Sequence, residues 1–372
     1  MKEKLVSLVK GQGRKENIKK ALNLIKDDLA PFKKAKNVLI KPNFTSAYNP
    51  TASTAAEAVE VILEFFEKFD PHFREKKIVI AESSGEAFLR GLTLDELFSR
   101  FGFNQIFARY PAIEKWDFRK KTRFFWVEIK TLSGTAKVRI PKEIFDFDYK
   151  ISVAIPKTHD TVIATLGIKN FLMGIINPED KSLMHGLTDY KFGVRRENKM
   201  FSLTKLASFL SKRVSWQLIY LFNNFAPAKL KDLATGFKAD DYIKSAACLN
   251  WNLSAIGAKI LPDLVVLDGY KGMEKDGPVY GRGRKLGIAI ASADPIAADG
   301  LGAKVMGFDP EKIGYLRLIA RQGRGKLTTN NLVGERIKDV AVSFCPHRHY
   351  PFQLKGNDFL RKNFPLRHEF HT

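Results

Sequence analysis

At 372 residues the chain can hold one large α/β domain with insertions, or two domains. Its 62 Lys and Arg against 40 Asp and Glu leave a formal net charge of +22, which favours acidic small molecules, nucleic acid or anionic lipid without choosing among them. Two distant cysteines, Cys248 and Cys345, exclude a disulfide framework and a cysteine-held zinc or iron–sulfur site. No long apolar run suggests a spanning helix, and the charged first residues lack the apolar stretch of a signal peptide, so a cytoplasmic setting is expected.

Leu5 to Val9 reads as a first strand. Glu16 to Leu29 spaces Ile18, Ala21, Leu22, Leu24 and Ile25 as a helix. Asn37 to Ile40 is a second strand, ending in Lys41-Pro42-Asn43. Thr54 is placed to cap a helix from Ala55 to Phe69, with Glu57 at the capping-box position. Lys77 to Ala81 is a third strand, ending in Glu82-Ser83-Ser84-Gly85. This alternation predicts an α/β fold, a mainly parallel sheet flanked by helices with right-handed crossovers. Leu92 to Phe101 is a short helix. Phe124 to Ile129 and Ala136 to Ile140 alternate about Gly134 and predict a β-hairpin subdomain.

Ile151 to Ile155 is a buried strand that Pro156 stops. Lys157, Thr158 and His159 follow, then Thr161, Thr165, Lys169, Asn170 and His185. From 189 to 240 the composition turns basic, with ten Lys and Arg against four Asp and Glu. Apolar residues from Leu203 to Phe222 recur at helical spacing, predicting a basic helical insertion. Such a helix packs as a lid on its own core or lies on a membrane or partner. Asn224 to Lys231 reads as a linker and Tyr242 to Ile260 as a helix. Pro262 to Leu267 is a strand with Asp268-Gly269 at its end, a functional strand end or merely a turn, and Gly269 to Gly287 reads as a glycine-rich loop. Leu286 to Ala291 is another strand. Asp294 then caps a helix that has Pro295 at its first position and stops at Gly307. Glu311 to Arg321 reads as helix and Ile337 to Phe344 as a last strand. The remainder, with His347, His349, His368 and His371, reads as basic, irregular and solvated.

Polar groups recur at the predicted strand ends: Lys41 and Asn43, Glu82 and Ser83, Lys157 and His159, Asp268 with Glu274 and Asp276, and Asp294. A parallel sheet gathers such ends on one edge, where α/β ligands bind. Three roles follow. His159 titrates near neutrality and is the expected acid/base, with Lys157 and Lys169 beside it. Lys41, Asn43, Glu82, Ser83, Thr161, Asn170 and Gly277 would hold an anion. His185, Asp268, Glu274 and Asp276 form the nitrogen-and-oxygen set that a divalent metal would use. Neither GxxxxGK[ST] nor GxSxG occurs, so a P-loop and a serine-hydrolase elbow are not supported.

Several blocks in order carry a resemblance: IKPNF at 40–44, AESSGE at 81–86, IPKTHDTVIATLGIKNFLMG at 155–174 and HG at 185–186. PDLVVLDGYKGMEKDGPVYG at 262–281 and SADPIAADGLGAKVMGFDP at 292–310 complete it. The chain thereby resembles the DUF362 family. Many members carry a ferredoxin-like cluster segment; this chain lacks its cysteines, so no iron–sulfur cluster is expected. The resemblance covers about Leu39 to Pro310 and implies that the matched blocks form one domain, taken as 1–310, with the basic region 187–240 as a variable insertion; 311–372 reads from its composition as a basic C-terminal extension. The function expected is an enzyme or ligand-binding protein acting on an anionic small molecule, a divalent metal being a further candidate. Nucleic-acid binding and attachment to an anionic membrane surface are the alternatives, and oligomeric state stays open.

Overall fold

The computed structural model describes residues 3–188, 190–191, 194–195, 216–235, 238–328 and 331–364. Its strands in chain order are β1 Val6–Lys10, β2 Asn37–Lys41, β3 Lys77–Glu82, β4 Glu114–Asp117, β5 Phe124–Thr131, β6 Gly134–Pro141 and β7 Tyr149–Ala154. They continue with β8 Lys157–His159, β9 Ile163–Thr165, β10 Tyr190–Lys191, β11 Val194–Arg195, β12 Leu264–Glu274, β13 Arg282–Ser292 and β14 Leu332–Gly334.

The main sheet runs β14-β1-β13-β12-β7-β2-β3-β4, with β8 and β9 attached beyond β12. Every pairing along that path is parallel except the two that β13 makes, with β1 and β12. The fold is therefore α/β with a mostly parallel sheet, as expected. Successive residues of β2 face opposite cores. Val38 and Ile40 join the helices Arg14–Leu24, Ala56–Phe69 and Leu94–Arg100. Leu39 faces Gly167–Gly174, Ala239–Gly257 and Pro295–Val305. That alternation, with both faces covered, makes three layers. From β2 the chain moves outward through β3 to β4, then returns to place β7 on the other side of β2. The strand order thus reverses between β2 and β7, and a crevice opens at such a switch point beyond the carboxyl ends.

The β5–β6 hairpin pairs only with itself, as the alternation predicted. Its Val127, Ile129, Val138 and Ile140 enter one core, and Asn252 bridges the Lys130 amide and carbonyl at 2.7 and 2.8 Å.

Several expectations change. β1 lies antiparallel to β13, not beside β2, because an apolar run carries no information about strand direction or neighbour. Thr54 does not cap the helix Ala56–Phe69. Its hydroxyl donates to the Val153 carbonyl and accepts from the Asn43 amide, both at 2.8 Å, tying β7 to the exit of β2. Asp268-Gly269 is not a turn: both pair within β12, which continues to Glu274. Residues read as a glycine-rich loop are mostly β12 and β13, joined by a tip at 275–281.

Residues 224–231 include parts of two helices, Trp216–Phe225 and Ala228–Thr235. The predicted basic helix lies outside the described residues before Trp216. Ile337 to Phe344 is no strand. Ile337–Val340 is a short helix, and the last strand is β14, added beside β1. The tail is not irregular either. Tyr350–Asn363 is a helix whose Leu360 packs with Ala247 and Leu318.

Candidate functional site

The floor of the crevice is ionic. Lys41, the last residue of β2, is 1% exposed, and its Nζ donates to Glu82 Oε2 at 2.7 Å, the Pro42 carbonyl at 2.9 Å and Asn170 Oδ1 at 3.1 Å. Glu82, at the end of β3, also accepts the amides of Phe44 and Ser83. Burial pulls the Lys41 pKa down against the opposing pull of Glu82. Lys157 is fully enclosed. Its Nζ donates to Ala52 O at 2.7 Å, Thr45 Oγ1 at 3.0 Å and Asn43 Oδ1 at 3.2 Å, with no carboxylate among its partners. Burial, followed by the charge of Lys169, pushes its pKa far down. Three acceptors use the whole donor capacity of an ammonium. Lys41 therefore ties β2 to β3 and the helix Gly167–Gly174, Lys157 ties β8 to the segment that follows β2, and neither has a donor left for a ligand.

Lys169 differs. It rides on the helix Gly167–Gly174, whose first two amides, Gly167 and Ile168, donate to the two carboxylate oxygens of Asp299 at 2.8 Å. Burial raises the Asp299 pKa to about 7. The helix sits directly over Lys41: a Cβ on Gly174 would overlap the Lys41 side chain, so only glycine permits the approach. Lys169 is 6% exposed, and its Nζ has no hydrogen-bond partner among the described residues. It lines a cavity of about 370 Å³, together with Asn43, Glu82, His159, Asn170 and His185. Burial lowers its pKa to about 8, with Asp160 pulling the other way. Lys181 lines the same cavity, donates to the Ser83 carbonyl and is also lowered to about 8 by burial.

His159 Nδ1 accepts the Thr161 amide at 2.9 Å. Asp160 Oδ1 lies 2.9 Å from the same nitrogen, and its charge opposes the lowering of the ring. Burial, reinforced by the Lys169 charge, lowers the ring to about 3. His159 is therefore neutral near pH 7 and carries its proton on Nε2, which has no protein partner among the described residues. Burial likewise lowers His185 to about 4.

Not all of the sequence-derived set gathers here. Ser83 turns away and donates to the Ile176 carbonyl at 2.9 Å. Thr161, Gly277 and Asp276 line a second cavity of about 700 Å³, adjacent to the first. The expected metal set does not assemble. Asp268 is 2.9 Å from Arg14 Nε, and Glu274 is held between Arg282 and Arg284; neither lines this cavity or the second one. Asp276 is held by Lys231 at 2.9 Å. Among the described residues no three His, Cys, Asp or Glu side chains group so as to hold a metal ion.

Other participants escaped the sequence reading: Asp160, Lys181, Asp299, and His347 and His349, which are buried rather than solvated, whereas His368 and His371 lie outside the described residues. His347 Nε2 lies 3.6 Å from Asp276 Oδ1, and His349 Nε2 lies 3.2 Å from Asp232 Oδ1. Gln353, from the last described helix, donates to the His159 carbonyl at 2.7 Å. Pro351 in the first turn was the available signal for that helix.

No curated protein matches the chain. Among solved structures it is similar to the lactate racemase apoprotein from Thermoanaerobacterium thermosaccharolyticum, at 18% identity and a TM-score of 0.36. The match covers 49% of this chain and only 41% of that one, and similarity at that level carries no argument about chemistry. Residues 38–304 match the family described as "Domain of unknown function (DUF362)". That stretch runs from β2 into the helix Pro295–Val305 and holds every residue lining the inner cavity, and on this match the chain belongs to the DUF362 family.

Proposed function

We propose that the crevice between β2 and β7 binds a small oxyanion, a carboxylate or phosphate, and that the protein acts on it as an enzyme or ligand-binding protein. One observation carries the reading: Lys169 is a buried ammonium without a hydrogen-bond partner, facing a cavity. A buried charge without hydrogen bonds is costly, Asp160 offsets part of that cost, and an anion would relieve more of it. His159 Nε2–H supplies a neutral donor on the same cavity. This revises the division of roles. His159 holds a hydrogen bond, whereas Lys169, with a pKa of about 8, is the group suited to give or take a proton near neutrality. Lys157 and Lys41 are positioning residues, and no metal is assigned a role.

The test is titration calorimetry with inorganic phosphate, sulfate and acetate. Lys169→Met should weaken binding by about tenfold or more, equivalent to about 1.4 kcal/mol, while Lys68→Met on an exposed helix face should not. Binding at pH 8 should also draw up protons, because the anion raises the Lys169 pKa. Equal affinity in wild type and Lys169→Met would remove the assignment.

A second reading has its own observation. On the helix Trp216–Phe225, Leu218, Leu221 and Phe225 are 59%, 48% and 78% exposed, which with the basic charge suits the surface of an anionic membrane. Among the described residues no helix is long and apolar enough to cross one. Flotation with phosphatidylserine vesicles should carry the protein upward, and sedimentation without the vesicles would end that reading. Nucleic-acid binding rests on net charge alone.

A further inference from the structure

The second cavity lies beside the anion site and holds neither Lys169 nor the His159 ring in its lining. At about 700 Å³ it is the larger of the two, and it shares Asp160, His185, Pro278, Val279 and Tyr280 with the inner one. Five common wall residues make the two spaces neighbours across a neck rather than separate sites. The chemistry changes across that neck. The inner side presents Lys169, Lys181 and the His159 ring. The outer side presents Leu132, Leu187 and Tyr242 beyond the shared Pro278, Val279 and Tyr280. Both tyrosines are neutral phenols, burial raising Tyr280 to about 12 and Tyr242 higher still.

The outer chamber also opposes a second anion. Asp160 stands at the neck with its side chain 49% exposed, and Asp241 and Asp276 line the walls beyond, so three carboxylates face the two cations of that lining, Lys238 and Arg348. The guanidinium of Arg348 is committed to Asp232 at 3.3 Å and Asp276 at 3.4 Å. His347 is buried and held neutral, burial lowering it to about 4. A ligand that fills both spaces therefore has one anionic end and an uncharged remainder whose apolar part meets Leu132, Leu187, Tyr242 and Tyr280.

We infer that the ligand is an anion with an aromatic or apolar body, its head at Lys169 and His159 and its body in the chamber walled by Leu132, Leu187, Tyr242 and the 275–281 tip. This rests on the anion reading of the inner cavity and goes further by specifying the class of molecule. A flat apolar body gains burial against Tyr242, Tyr280 and Pro278, and a bare anion forgoes that gain.

The experiment compares inorganic phosphate with phenyl phosphate on the full-length protein, using wild type, Lys169→Met and Leu132→Glu. Leu132 is a turn residue, 38% exposed, so its replacement should leave the fold intact. Phenyl phosphate should bind wild type at least about tenfold tighter than phosphate. Leu132→Glu should remove most of that advantage and leave the affinity for phosphate within about twofold. If phosphate binds through Lys169 but the phenyl group adds nothing, the inference falls and the anion site stands. An advantage that survives Leu132→Glu also overturns it, since the body would then lie elsewhere. If neither ligand binds, the anion reading fails and this inference with it.

Discussion

Four lysines enter the crevice, and their environments separate them. Lys41 is one half of a buried ion pair, so Lys41→Met should leave Glu82 uncompensated and cost about 3–5 kcal/mol in urea unfolding. The double variant Lys41→Met/Glu82→Gln should recover part of that loss, and an additive result would refute the pairing. Lys169 predicts the opposite sign. Its pKa in the folded protein, about 8, lies below the ordinary 10.5. Between those values the unfolded chain holds a proton that the folded chain has released, so wild-type stability rises with pH across that window. Lys169→Met lacks this dependence. It should be the more stable protein at pH 7, and the gap should narrow toward pH 10 by at most about 1.4 kcal/mol per unit. A gap independent of pH would show that the ammonium is not buried as described. The lysines and His159 were readable as a cluster, because Lys157, His159 and Lys169 fall within one short stretch after a buried strand. Which of them is free was not readable, because Asn43, Thr45, Glu82 and Asn170 reach them from other segments.

At the scale of elements, the helix Gly167–Gly174 decides the site's geometry. Asp299 holds its first two amides, and Gly174 lets its far end lie on Lys41. Asp299→Ala should leave both amides buried without acceptors and destabilise by about 1–3 kcal/mol in urea unfolding. Anion affinity should fall with it, since Lys169 sits on the next residue of that turn. Unchanged affinity would separate the helix anchor from the site. The β12–β13 hairpin shows where a sequence reading misleads. Asp-Gly is a strong turn signal, yet Asp268-Gly269 stays in the ladder because β13 pairs along it and Arg14 neutralises the carboxylate. The actual tip is 275–281, and there Asp276 and Gly277, expected as a metal ligand and a ligand-binding residue, line the outer cavity alone. The tip's reach over both cavities was not legible in the sequence.

The whole molecule should be sensitive to acid. Burial lowers His159 to about 3 and both His185 and His347 to about 4, against an ordinary 6.5. In that interval the unfolded chain takes up protons that the folded chain excludes. Stability is therefore intact above about pH 6.5 and lost as pH falls toward 4, by up to about 1.4 kcal/mol per unit for each ring. Thermal melts from pH 7 to 4.5 should show this, and His159→Gln with His347→Gln should flatten the slope; a profile unchanged by both would count against burial of the rings. At this scale the α/β class, the hairpin and the capped helix from Pro295 followed from local pattern. Apolar periodicity and Asp-Pro capping are written in neighbouring residues. The family blocks were equally local. The partner of β1, the reversal of strand order between β2 and β7, and the histidines delivered by the tail came only with folding. These depend on contacts between distant residues, and neither composition nor spacing records which apolar face meets which. Ile151 to Gly186 thus carried the candidate chemistry in its sequence, while strand order and packing determined that Lys169, rather than Lys41 or Lys157, has its donors uncommitted.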